Sequence, residues 1–159
     1  MKQVTVLLGG FMGFDGYVTS AGMYGLVAML NKLPDVHVNV LQWGNYRQAN
    51  TLISLGDKRV IIGYSGGGSR ATWLNHDYPA TIIDLMILYD PSPSWQMFNI
   101  NSNVKKAISY HNTTPFFFGL GGGVLVGPNV TTVDIAMNHM FVQSDLTLHA
   151  KTCAEVAKL

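Results

Sequence analysis

Charge is scarce in this chain. Lys, Arg, Asp and Glu make up 12% of 159 residues, about half the usual fraction of roughly 25%. Net charge is +1 and no basic block occurs, which argues against nucleic acid or an anionic membrane surface as a partner. Cysteine is nearly lacking. Cys153 is the one thiol, so an internal disulfide framework is excluded, and its place on a predicted helix face reads as a small buried residue. No apolar run approaches the ~20 residues that a membrane-spanning helix needs. No charged segment precedes a separate apolar one near the first residue, so neither membrane insertion nor a signal peptide is expected, and a cytoplasmic location is. Internal repeats and low-complexity linkers are missing too. No histidine stands at metal-ligand spacing from another or from the cysteine, so no metal and no cofactor is expected.

What remains is largely interior. The chain is 48% hydrophobic, and its length bounds one domain, residues 1–159, with room for a sizeable core. Such a composition suits a parallel sheet covered on both faces.

The order of elements points the same way. Gln3 to Leu8 is an apolar, β-branched run that stops at Gly9-Gly10 and reads as a buried strand. A helix is predicted from Thr19 or Ser20, both good N-caps, to about Lys32, with Met23, Leu26, Val27 and Leu30 on one face. Strands are predicted at Val36–Trp43, Arg59–Tyr64 and Thr81–Tyr89, and a helix at Tyr46–Leu55. Ser92 to Asn103 reads as an excursion over the sheet and Val104–Tyr110 as a short helix. Pro115–Gly119 reads as a strand, Gly121 to Val126 as a tight turn or hairpin, and Val133–Met137 as a last strand. A final helix starts at Ser144 or Asp145. Alternation of strand and helix predicts a three-layer α/β/α sandwich around a mainly parallel, doubly wound sheet.

Glycine-rich loops follow two of these strands. In the first, Gly9 to Ser20 with Gly22 just after it, the glycines do not fit G-x-G-x-x-G, and the next strand ends in Leu41-Gln42-Trp43 with no acid for a ribose. A dinucleotide site is therefore discounted. The second is Gly63-Tyr64-Ser65-Gly66-Gly67, a G-x-S-x-G with a strand before it and a helix after it. A phosphate loop would also be glycine-rich, but Ser69-Arg70 stands where a Walker motif needs Lys-Ser or Lys-Thr. A serine on such a turn is forced out of both strand and helix, so Ser65 is the candidate nucleophile. The Gly66 amide is a candidate donor to an oxyanion.

A serine hydroxyl needs a base, and imidazole can both take and return the proton. A carboxylate then fixes the tautomer and stabilises the imidazolium. Asp90 ends a predicted strand at Asp90-Pro91-Ser92-Pro93, and His139 follows another. Ser65, Asp90 and His139 occur in the order serine, acid, histidine, each just after a strand. Elsewhere, His37 lies in a predicted strand and His149 on the final helix. His76 and His111 are read as loop residues at the opposite edge. Asp84 is in mid-strand, Asp134 is too near His139, and Asp145 is more simply a helix cap, though it is the second-choice acid.

With these motifs in view, the chain resembles a small, lidless member of the α/β-hydrolase superfamily, similar to short serine esterases and thioesterase-like proteins. The resemblance rests on Leu7-Leu8-Gly9-Gly10, on Gly63 to Gly67, on Tyr89-Asp90-Pro91, and on Asn138-His139 ahead of Ser144-Asp145. It implies a minimal α/β-hydrolase fold and a second oxyanion amide from Phe11, or from Gly10 or Met12 in another register. The usual N-terminal antiparallel strands and the cap insertion are missing, and many relatives carry the acid one strand later than Asp90. The expected activity is a serine hydrolase acting on an ester or thioester, a small-molecule or acyl-ester substrate. Gly10, Met12, Phe14, Tyr64 and Trp95 are expected near the substrate, with Tyr17, Met97 and Phe98 as further candidates for an acyl groove. An acyltransferase, an amide substrate, and an inactive hydrolase-fold binding module stay open. A homodimer covering a bare sheet edge is a further expectation.

Overall fold

The computed structural model describes residues 1–10, 19–92, 97–114 and 120–159. Its core is a six-stranded sheet in the order β2-β1-β3-β4-β6-β8, every neighbouring pair parallel. The strands are β1 (Lys2–Leu8), β2 (Val36–Gln42), β3 (Lys58–Tyr64), β4 (Leu85–Tyr89), β6 (Ala107–Asn112) and β8 (Val130–Ile135). Two short strands, β5 (Met97–Asn99) and β7 (Val124–Val126), pair in parallel apart from this sheet.

Alternate residues of each strand feed two cores. Val4, Val6 and Leu8 of β1 join Ile62 and Tyr64 of β3, Ile87 and Tyr89 of β4, and Tyr110 of β6 on one face. Helices α1 (Met23–Leu30) and α5 (Leu146–Ala157) cover it with Leu26, Leu30, Leu148 and Val156. Leu7, Ile61, Met86, Leu88 and Ala107 point to the other face. There, α2 (Tyr46–Ile53) and α3 (Gly66–Asp77) supply Ala49, Ile53, Ala71 and Leu74. Each such fully buried Leu, Ile or Val contributes roughly 1.5–3 kcal/mol relative to exposure. Burial on both faces is why β1, β3 and β4 read as apolar runs rather than as alternations, whereas the edge strands β2 and β8 are only partly buried. A four-residue helix, α4 (His139–Val142), precedes α5. Among the described residues, no helix is long and apolar enough to cross a membrane.

β1 lies between β2 and β3, so the chain winds one way from β1 to β2 and the other way beyond β3. The crevice at the carboxyl ends of β1 and β3 is where such sheets receive ligands. Gly9-Gly10 and Ser65 both leave the sheet there.

Several expectations need correction. Val104–Tyr110 is not a helix: Ala107–Asn112 is β6, the strand beside β4. Four of its first five residues are buried, so neither a period of two nor a helical face shows in the sequence. His111 is therefore in β6 and pairs with Asp134 at 3.0 Å, while His76 lies in the last turn of α3. The run 121–126 is no hairpin, since β7 pairs in parallel with β5. The last strand is Val130–Ile135, three residues earlier at its start than expected. Thr19 and Ser20 do not cap α1. Both hydroxyls donate to the Gly9 carbonyl and tie down the chain after β1, and Gly22 holds the cap position. The predicted strand Pro115–Gly119 lies outside the described residues.

Candidate active site

Ser65 stands between the last residue of β3 and the first of α3 with φ +53° and ψ −122°. A non-glycine residue rarely adopts that backbone, and strain of this kind persists only where the surroundings over-determine it. They do here. The Ser65 N–H donates to the Tyr89 carbonyl (3.0 Å), and its carbonyl accepts from the N–H groups of Ser69 (3.2 Å) and Ser92 (3.1 Å). The flanking glycines follow from crowding. A Cβ on Gly63 would lie 2.6 Å from the Gly67 carbonyl oxygen, and one on Gly67 would collide with the Leu7 carbonyl. Gly66 opens α3, where helix amides have no intrahelical acceptor.

Asp90 follows β4, one strand along, and also has positive φ, +45°. Its N–H donates to the Tyr110 carbonyl at 2.8 Å, which holds the turn to β6. The carboxylate is fully buried. Oδ1 accepts from the N–H groups of Asn112 (3.3 Å) and Gly122, and Oδ2 lies 2.6 Å from His139 Nδ1. A carboxylate can only accept, so Nδ1 carries the imidazole proton and Nε2 is left as an acceptor. Nε2 is 3.0 Å from Ser65 Oγ.

His139 is the first residue of α4. Asn138 caps this short helix by accepting the Met140 N–H at 2.9 Å. Tyr64 fixes the histidine from below. Its ring stacks on the imidazole with centroids 5.1 Å apart, and its hydroxyl donates to the His139 carbonyl at 3.1 Å. Burial, helped by the Asp90 charge, pushes the Tyr64 hydroxyl well above its ordinary pKa, so it stays a donor.

Above Ser65 and His139 lies an open cavity of about 180 Å³. Among the described residues, Gly9, Gly10, Thr19, Tyr64, Leu120 and Met140 also line it. The structure thus brings Ser65, His139 and Asp90 into one hydrogen-bonded chain and puts Gly10 and Tyr64 beside it. Phe11, Met12, Phe14, Tyr17 and Trp95 lie outside the described residues. Phe98 does not line the cavity: it is 6% exposed and belongs to the core on the α2–α3 face, together with Leu125 and Ile100. Met97 belongs to β5.

Three further residues hold the site, and sequence reasoning passed over them. Gly122 donates to Asp90. Gly121 has φ +83°, and a Cβ there would collide with both Asp90 Oδ2 and His139 Nδ1. Ser92 Oγ lies 3.3 Å from Ser65 Oγ and accepts the Gly121 N–H at 2.8 Å. The triple glycine and the serine two places after Asp90 were the available signals.

The other candidates have separate duties. Asp145 caps α5 by accepting the Leu148 N–H at 2.8 Å. His149 is buried and its Nε2 donates to the Gln143 carbonyl at 2.8 Å, with burial lowering its pKa. Among the described residues, no three His, Cys, Asp or Glu side chains converge as metal ligands would. No protein-family model and no curated protein matches the chain.

Proposed function

We propose that the protein is a serine hydrolase of the α/β-hydrolase superfamily, cleaving an ester or thioester through an acyl-enzyme on Ser65. The observation that carries this reading is the relay from Ser65 to His139 (3.0 Å) and on to Asp90 (2.6 Å). Its members lie 74 and 49 residues apart in sequence and meet only at the sheet edge. A packing accident would not also hold the serine and the acid in positive-φ backbone.

In this mechanism Ser65 Oγ attacks the carbonyl carbon of the substrate as its proton passes to His139 Nε2. The oxyanion takes the Gly66 N–H, and the family resemblance supplies the Phe11 amide as the second donor. Collapse breaks the bond to the alcohol or thiol, which leaves with the proton from Nε2. A water then gives its proton to Nε2 and attacks the acyl carbon, and Ser65 leaves with that proton restored. Asp90 stays ionised throughout and holds the imidazole in the tautomer that can accept. The cavity wall of Leu120, Met140 and the Tyr64 ring suits a small apolar acyl group.

Intact-mass labelling with a fluorophosphonate tests the reading. The wild type gains one adduct and Ser65→Ala gains none. An unlabelled wild type, or equal labelling of the variant, overturns it. Esters graded by acyl length would then set the substrate range.

A further inference from the structure

We infer that Ser92 is a positioning residue for the nucleophile: its hydroxyl proton is donated to Ser65 Oγ, which aims the Ser65 proton at His139. The inference rests on the serine-hydrolase reading above and deepens it.

Each serine hydroxyl has one proton to donate and two lone pairs. The Gly121 N–H fills one lone pair of Ser92 Oγ at 2.8 Å. Between the two hydroxyls, 3.3 Å apart, either could be the donor. If Ser65 donated to Ser92, its proton would point away from Nε2, which lies closer, at 3.0 Å, and is the better acceptor. Among the described residues, the Ser92 proton would then have no acceptor. If Ser92 donates to Ser65, both protons are used. The chain then runs Gly121 N–H to Ser92, Ser92 O–H to Ser65, Ser65 O–H to Nε2, and Nδ1–H to Asp90.

The backbone supports the same contact. The Ser92 N–H donates to the Ser65 carbonyl at 3.1 Å, so the two residues are bonded twice, once through each part of Ser92. Pro91, between Asp90 and Ser92, has φ locked by its ring. That removes one backbone rotation between the acid and the second serine. The glycine strap thus addresses two groups at once, Asp90 through Gly122 and Ser92 through Gly121.

A donor on Oγ matters most when that oxygen carries charge. As the Ser65 proton moves to Nε2, negative charge builds on Oγ and the Ser92 bond strengthens. In the acyl-enzyme Oγ is an ester oxygen, a poor acceptor, and the bond weakens. On deacylation Oγ is the leaving atom and the charge returns. Ser92 therefore favours both transition states over the states between them, which raises kcat rather than lowering KM.

The test measures fluorophosphonate inactivation rate, and kcat and KM on p-nitrophenyl butyrate, for wild type, Ser92→Ala, Ser92→Thr and Ser92→Val. Ser92→Ala should lose about 10- to 100-fold in both kcat and inactivation rate, with KM changed by no more than about twofold, the effect of one hydrogen bond to a charged atom. Ser92→Thr should recover most of the loss. Thr and Val have nearly the same shape, so their ratio isolates the hydroxyl even if Ser92→Ala fails to fold. Ser92→Ala at the wild-type rate, or Thr and Val equal, overturns the role of Ser92 and leaves the hydrolase reading intact. A wild type that neither labels nor turns over overturns both.

Discussion

Strand β4 has a buried aspartate at each end. Asp84 comes just before Leu85 and is 7% exposed; Asp90 comes just after Tyr89 and is 0% exposed. Asp84 accepts one backbone N–H and Asp90 two, and each faces a basic side chain. Asp84 Oδ2 takes the Arg59 N–H at 2.9 Å, and Oδ1 takes Lys105 Nζ at 2.7 Å. Asp90 takes the amides of Asn112 and Gly122 and faces His139. Burial is thus nearly equal, and it does not separate a structural carboxylate from a chemical one. The partners do. The Lys105 side chain is 61% exposed and reaches Asp84 from solvent, so that pair closes the amino edge of the sheet. His139 is buried with its other nitrogen on Ser65, so that pair can pass a proton onward. Backbone marks the difference as well, since Asp90 requires φ +45° and Asp84 is not among the positive-φ residues.

The largest expected effect comes from removing the charge at the carboxyl end. Asp90→Asn should lower kcat by roughly 10⁴-fold, because an amide in place of Oδ2 favours the wrong imidazole tautomer. The fold should survive, since Asn tolerates left-handed backbone better than most residues. Steady-state kinetics beside a thermal melt separates the two. A variant with full activity would erase the contrast between the two aspartates and leave Asp90 a turn residue.

Gly121→Ala is expected to come next. The new Cβ would displace both Asp90 Oδ2 and His139 Nδ1, and it would sit at φ +83°. Misplacing the pair by about an ångström should cost on the order of 100-fold in kcat. The backbone strain should cost about 1–2 kcal/mol of stability. Loss of stability with unchanged kcat would mean that the strap holds the loop and not the pair.

These two variants also show how far the sequence could be read. The elbow was legible because its glycines answer to local crowding, with Gly63 and Gly67 packed against each other and against β1. The succession of elements up to β4 was legible for a related reason: β1, β3 and β4 are apolar runs, β2 alternates at Val36, Val38 and Val40, and helical stretches separate them. β6 was not. Buried between β4 and β8, it shows no alternation, and Lys105-Lys106 before it looks like the polar face of a helix. Misreading it put His111 at the wrong edge and hid the strand whose Asn112 amide supports Asp90. The triple glycine singles out Gly121 but not its role, since its neighbours Asp90 and His139 are contacts across the fold and no local pattern names them.

Asp84→Asn should give the smallest effect, and it tests the other side of the comparison. Burial alone would push the Asp84 carboxyl up, but the Lys105 bond and the Arg59 amide outweigh it and hold it below the usual carboxylate range. The folded state therefore favours the ionised form. Its contribution is fully present above the ordinary value of about 3.9 and is lost as pH falls through the lower folded value. Asparagine cannot titrate, so the stability gap between wild type and variant should be widest near neutral pH and should close on acidification. Because Lys105 is largely in water, the gap should be no more than about 1 kcal/mol. Urea melts at neutral and strongly acid pH would measure it, with kcat/KM unchanged at neutral pH. A gap that widened in acid would mean that the pairing at the amino end destabilises the ionised form. A fall in kcat/KM would mean that β4 transmits its amino end to its carboxyl end, and the two aspartates would then be one system rather than two.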